Sequence, residues 1–258
     1  MGKIFVNKEI EVIKGEDASR LINEKNEMKF FEDGIGIKKI DKIRWLEAQY
    51  YERKTWCNSA AKAMITDRNE EHQKNFDYYK ILPSILENDL SVIELGCGPY
   101  TNLRFILPSI RKSIDCVDLL DPLINDYMLN SPNCTYKNSI LGIYQVNTFN
   151  TSIEEFKNTR KYNLVVMINV LDHCFDMDLV FEKISDIIRE DGILLLEERV
   201  YKGKDKALKE SIENTYDAGH PLRISEEYFN SKLSLFKPLY SREFIRDNVI
   251  DKYLILQK

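Results

Sequence analysis

The sequence predicts an α/β fold built on a mostly parallel sheet, and two observations carry the prediction. From Leu90 onwards, short apolar runs alternate with helical patterns and turn signals, which is how strands buried on both faces of a parallel sheet read. The 258 residues, 43% hydrophobic and 31% charged, are also enough to bury a sizeable core without disulfides or metals as staples.

The segment before Leu90 reads differently. Ile4-Phe5-Val6 and Glu9 to Ile13 flank Asn7-Lys8, the pattern of a small hairpin or extended arm. A helix is expected from Asp41 to Ala63, with Ile43, Leu46, Tyr50 and Tyr51 at helical spacing. Asp67-Arg68-Asn69-Glu70 resembles a capping box, opening a second helix with Phe76 and Tyr79 on one face. Pro83 precedes a last helical turn. This part is helical, aromatic and charged, so the chain divides into residues 1–89 and 90–258.

The strands follow in order. Val92 to Leu95 is the first, Ile114 to Leu120 the second, and the third lies within Tyr144 to Phe149. Leu164 to Ile168 is the fourth and Ile193 to Leu196 the fifth. Between the last two, Asp176 caps a helix whose Val180, Ile184, Ile187 and Ile188 form an apolar stripe, and Glu190-Asp191-Gly192 ends it. Lys202 to Glu213 is a charged helix candidate, Asp217 to Pro221 a loop, and Ser225 the cap of a short helix. Two final strands, near Leu239 to Phe244 and Lys252 to Gln257, close the chain as a pair.

Charge and cysteine content narrow the function. Lys+Arg 37 against Asp+Glu 42 leaves −5, which disfavours a general grip on nucleic acid. Five cysteines with no C-x-x-C pair form neither a zinc set nor a disulfide framework. The first twenty residues hold no apolar signal-like core and no stretch is long enough to span a bilayer, so a reducing cytoplasm is the expected compartment.

The chemistry is concentrated in Glu94-Leu95-Gly96-Cys97-Gly98-Pro99-Tyr100-Thr101-Asn102. An apolar strand feeds a turn in which Gly96 and Gly98 admit a ligand close to the backbone, at the strand end where open α/β sheets bind ligands. A dinucleotide fingerprint needs glycine where Thr101 stands. An acid at the strand end suits a cationic or zwitterionic ligand better than a pyrophosphate.

At these residues the chain resembles the class I S-adenosylmethionine-dependent methyltransferases, over roughly Leu90 to Lys258. The resemblance implies a seven-stranded, mostly parallel Rossmann-like sheet with an antiparallel C-terminal hairpin. It also implies S-adenosylmethionine as cofactor, with S-adenosylhomocysteine as product. Glu94, Gly96 and Gly98 match the first motif, which cradles the amino-acid part of the cofactor; Tyr100 stands in place of the family's third glycine. Asp118 and Asp121 compete to hold the ribose hydroxyls, the first by spacing and the second by its Asp-Pro-Leu turn. Ser152 and Ile153 fall where adenine is met. Tyr162 to His173 matches the fourth-strand segment, and Asn169 would line the methyl end. Arg189 to Gly192 before an apolar strand, and the hairpin ending in Lys252 to Leu256, complete the order.

Trp45 to Trp56 resembles the helical lids of small-molecule and polysaccharide-pathway methyltransferases, with an acceptor-side insertion around Tyr201 to Leu233. The implied reaction is methyl transfer to an oxygen of a small acceptor, a capsule or surface-glycan precursor among them. His173 is the first candidate for its general base and His220 the second; His72 lies on a charged helix. Glu197 and Glu198 follow the fifth strand and could orient the acceptor or pair with Arg199. No acidic cluster at metal-ligand spacing is visible, so the site is expected to be metal-free. The expected assembly is a monomer or homodimer acting on a small molecule, without nucleic acid or membrane. Three other readings stand beside it. An RNA methyltransferase would show a basic face, a nicotinamide oxidoreductase would need the missing glycine, and a non-catalytic S-adenosylmethionine-binding protein would keep the pocket with a blocked acceptor side.

Overall fold

The computed structural model describes residues 29–30, 37–57, 77–87, 89–110, 112–131, 134–136, 141, 144–201, 219–246 and 249–258. The expected N-terminal arm, the helix from Asp67 with Phe76, His72, and the helix over Lys202 to Glu213 lie outside them.

A short antiparallel pair, β1 (Lys29–Phe30) and β2 (Ile37–Lys39), leads into helix α1 (Lys42–Trp56). A four-residue helix α2 (Leu82–Ile85) precedes the sheet. The sheet then runs β3 (Leu90–Leu95), helix α3 (Leu103–Ile106), β4 (Ile114–Leu120), helix α4 (Ile124–Asn130), β5 (Val146–Phe149) and β6 (Tyr162–Ile168). Helix α5 (Met177–Ile187), β7 (Ile188–Tyr201), helix α6 (Glu226–Leu233), β8 (Lys237–Arg246) and β9 (Val249–Gln257) complete it. The seven strands lie in the order β5-β4-β3-β6-β7-β9-β8. Contacts among β3 to β7 are parallel, and β9 is antiparallel to both β7 and β8. The chain builds outward from β3 on one side and returns to build outward on the other. The strand order therefore reverses beside β3, where such sheets bind ligands.

Alternation along the strands sorts the core into two layers. Ile93, Leu95, Val165, Met167, Leu194, Leu196, Leu254 and Leu256 face one layer, covered by Val180, Phe181, Ile184 and Ile187 of α5 and Phe229 of α6. Val92, Leu164, Val166, Ile193, Leu195 and Ile255 face the other, with Leu103, Ile106 and Leu107 from α3 onwards and Tyr78 and Leu82 near α2. Both faces being covered explains why these strands read as unbroken apolar runs. Ile37, Ile40 and Trp45 join the first layer, so β2 and α1 are packed on the sheet domain.

Several expected boundaries move. The expected stripe on α1 is not its buried face: Ile43, Leu46, Tyr50 and Tyr51 are half-buried, while Arg44, Trp45, Glu47, Ala48 and Gln49 are buried. The helix lies over a polar cavity, so an apolar stripe is the wrong signature for its inner side. It starts as expected, with Asp41 accepting from the Arg44 amide, and ends at Trp56, where the Cys57 N–H bonds the Arg53 carbonyl. Helix α3 begins at Leu103, because Thr101 and Asn102 are held in the preceding turn. Asp176 caps α5 through the amides of Asp178 and Leu179. That helix stops at Ile187, and Ile188 pairs with Tyr162 as the first residue of β7. Glu190 to Gly192 therefore lie inside an irregular strand rather than in a turn. Among the described residues the five cysteines are free, and no helix is long and apolar enough to cross a membrane.

Candidate active site

The carboxyl ends of β3, β4, β5 and β6 open into one cavity of about 850 Å³, near the upper end of the about 300–1,000 Å³ usual for small-molecule sites. The turn after β3 supplies its floor. Gly96 has φ +69° and Gly98 φ +53°, left-handed conformations that favour glycine. A Cβ on Gly96 would lie 2.6 Å from Val170 Cγ2, whereas one on Gly98 would meet nothing within 4 Å. Gly96 is thus fixed by packing, and Gly98 leaves open space for a ligand.

Glu94 does not line the cavity. It is buried beneath the turn, where it accepts hydrogen bonds from the Asn102 amide at 3.0 Å, the Asn102 side chain at 2.9 Å and the Thr101 hydroxyl. Burial pushes its carboxyl up to about 7 against the opposing effect of those bonds. Its work is to hold the glycine turn.

The two candidate ribose acids separate cleanly. Asp121 lines the cavity, accepts from the amides of Gly98 at 3.0 Å and Leu123 at 2.8 Å, and is pushed up to about 6 by burial. Asp118 does not reach the cavity. It lies inside β4 and accepts from Tyr162 Oη at 2.6 Å, Asn147 Nδ2 at 2.7 Å and Arg160 Nη1 at 3.1 Å. Spacing favoured Asp118 and the Asp-Pro-Leu turn favoured Asp121; the direction of the side chain separates them. Ser152 and Ile153 line the wall after β5, beside Glu154, whose carboxylate accepts from the amides of Phe175 at 2.7 Å and Asp176 at 3.1 Å. Asn169 lines the cavity at the end of β6 with φ +55°, uncommon for a residue other than glycine, and its N–H donates to the Glu197 carbonyl at 2.9 Å.

His173 sits on the wall beyond Asn169, on a single 3-10 turn, Leu171–His173. That turn is gripped at both ends. Glu198, fully buried, accepts from the amides of Val170 at 3.1 Å and Leu171 at 2.7 Å. From α1, Trp45 Nε1 donates to the His173 carbonyl at 3.0 Å and Gln49 Nε2 does so at 3.4 Å. One helical turn on, Glu52 brings Oε1 to 3.9 Å from His173 Nδ1, while its Oε2 accepts from Trp56 Nε1 at 2.8 Å. The His220 ring stands 4.3 Å from the His173 ring, centroid to centroid. The cavity thus has acids and amides at the glycine turn and Glu52 and His173 on its α1 side, within electrostatic reach of Asp121, with His220 packed against His173.

Residues 65–231, well over half of the chain, match the family described as "Methyltransferase domain". The chain belongs to the class I S-adenosylmethionine-dependent methyltransferases. The fold of this methyltransferase is shared by the N-methyltransferase NodS from Bradyrhizobium japonicum WM9, solved with S-adenosyl-L-homocysteine. That match has a TM-score of 0.57 and 11% identity, covering 82% of this chain and 98% of the other. The cyclopropane synthase MmaA2 from Mycobacterium tuberculosis matches with TM-score 0.59 and 11% identity over 84% and 99% of the two chains. The 1,6-didemethyltoxoflavin-N1-methyltransferase from Burkholderia thailandensis gives 0.52 and 14% over 89% and 98%. No curated protein matches by sequence.

The cavity of the methyltransferase is also lined from α1, expected from sequence as a lid segment without Gln49 or Glu52 being singled out. Trp45, Gln49, Glu52 and Trp56 all line the cavity at spacings of four, three and four, one face of α1. The signal was present as a polar-aromatic stripe. Glu197, Arg199, Arg242 and Tyr253 line the end formed by β7, β8 and β9, where they come together only through strand pairing. Of the paired glutamates, Glu197 faces the cavity and Glu198 holds the turn.

Proposed function

We propose that this methyltransferase moves a methyl group from S-adenosylmethionine to an oxygen of a small acceptor. The observation that carries the reading is one cavity lined both by the glycine turn with Asp121 and by Glu52 and His173, with the His220 ring against His173. Gly96, Gly98 and Asp121 would hold the amino-acid and ribose parts of the cofactor, with Ser152 and Ile153 beside the adenine and Asn169 at the methyl end. Bound there, the cofactor supplies an electrophilic methyl group on a sulfonium. The chain's own contribution is alignment and exclusion of water. Trp45, Gln49 and Trp56 of α1 line the cavity. Its acids Asp121, Glu154 and Glu197 suit a cationic ligand, while Arg199, Arg242 and Arg246 line the part formed by β7 and β8. His173, which lines the cavity, would meet the acceptor's hydroxyl and take its proton, with His220 beside it as the second candidate. Residues 1–89 act as the accessory, lid-bearing part, and a capsule or glycan precursor in the cytoplasm remains the proposed setting.

Nitrogen is the second reading, because NodS and the didemethyltoxoflavin enzyme are N-methyltransferases. Calorimetric titration with S-adenosylmethionine tests the cofactor site, and lack of binding at millimolar cofactor would sink the proposal. A panel of hydroxylated and amine acceptors with labelled cofactor then separates oxygen from nitrogen by which class takes up label.

A further inference from the structure

Glu52, His173 and His220 come from three separate segments, and their donor atoms lie within 4.8 Å of one another. We propose that they bind one divalent first-row transition-metal ion, of the zinc or cobalt type, at the acceptor end of the cavity. Two imidazoles and one carboxylate form a donor set that selects such ions over magnesium or calcium. Bonds of about 2.0–2.2 Å place donors about 3–3.5 Å apart, so the group closes by about an ångström through side-chain rotation. The histidine rings are inclined at 53° rather than stacked, which lets their nitrogens converge.

The surroundings are those of a ligand shell. Trp56 holds Glu52 Oε2, which turns Oε1 toward His173. Asp172 Oδ1 is buried without a hydrogen-bond partner, 3.6 Å from His173 Nε2. A metal on Nδ1 leaves the Nε2 proton to that oxygen, the carboxylate-histidine-metal arrangement usual for ligating histidines. Gly219 lets Glu52 approach: a Cβ there would lie 2.9 Å from Glu52 Oε1. The Arg223 guanidinium fixes the His220 backbone by donating to its carbonyl at 2.9 Å. Glu52 and His173 both line the cavity, so a remaining coordination position faces the acceptor. The site rests on the methyl-transfer reading and deepens it by making an oxygen-bearing acceptor a metal ligand: the ion, rather than a free imidazole, would then ease loss of the hydroxyl proton, in place of the metal-free site expected from sequence spacing.

Tag-free, full-length protein is titrated with Co²⁺ and with Zn²⁺ in the absence of cofactor, by calorimetry and by the visible absorption of Co²⁺. One ion per chain at micromolar or tighter affinity is expected, weakened at least 30-fold in His220→Ala and in Glu52→Gln and unaffected by millimolar Mg²⁺. Gly219→Ala, which only displaces the carboxylate, should weaken binding less. Thermal unfolding of each variant identifies any that fails to fold. Absence of stoichiometric binding, or equal binding by folded His220→Ala, overturns the site and leaves the three residues as a proton relay. Because cofactor is absent from the titration, its result is independent of whether S-adenosylmethionine binds.

Discussion

The two ends of the cavity are built by different rules. The glycine-turn end is made by backbone at successive strand ends, with Gly96, Gly98 and Asp121 joined through amide hydrogen bonds. The other is composed of side chains from α1, the turn after β6 and the β8–β9 hairpin, with His220 packed against His173. A backbone site leaves little freedom to vary without losing the fold. A side-chain site can be rewritten while the scaffold stands.

That contrast is most exposed at Gly96. Gly96→Ala combines a left-handed φ with a clash against Val170, so a loss of about 2–5 kcal/mol in stability is expected, with cofactor binding abolished. Gly98→Ala, with open space at its Cβ, should cost about 1–2 kcal/mol. Equal losses in urea unfolding would erase the distinction between the two glycines. Next in size is the pair of acids. Asp121→Asn should weaken cofactor binding by at least tenfold in calorimetry. Asp118→Asn should lower the melting temperature and leave that affinity unchanged, and the reverse result would restore Asp118 as the ribose acid.

A third test uses pH. The folded pKa of Glu94, about 7, lies above its ordinary 4.5, so folding favours the protonated form. Its stabilising contribution is present in full below about pH 4.5 and lost as pH rises through about 7. Glu94→Gln keeps an oxygen for the Asn102 amide and should abolish that decline, of order 2–3 kcal/mol, in unfolding curves between pH 5 and 8. An unchanged pH slope would remove Glu94 as its source. The smallest effect belongs to the side-chain end. Trp45→Phe deletes one hydrogen bond to the His173 carbonyl, worth about 1 kcal/mol. Turnover should fall several-fold while cofactor affinity holds; a change in affinity instead would mean that α1 belongs to the cofactor end.

The sheet was legible because its strands are buried on both faces, so Val92 to Leu95 and Leu164 to Ile168 stand out without reference to any partner. Gly96, Gly98 and the Asp176 cap were legible because their constraints are local. Asp118 and Asp121 were not separable, since which acid turns toward the cavity depends on β5 and Tyr162 contacts far along the chain. The inner face of α1 was misread because its neighbour is a cavity rather than a core. The grouping of Glu52 with His173 and His220 is set by packing between segments more than forty positions apart, which no spacing rule reaches.

Helix α1 has one further consequence. Through Trp45 and Gln49 it is tied to the same short turn that carries His173, and it also forms a wall of the cavity. Displacing the helix would pull on the backbone of that turn. The position of the cavity's wall and the position of His173 are therefore mechanically linked, through two hydrogen bonds to one carbonyl oxygen.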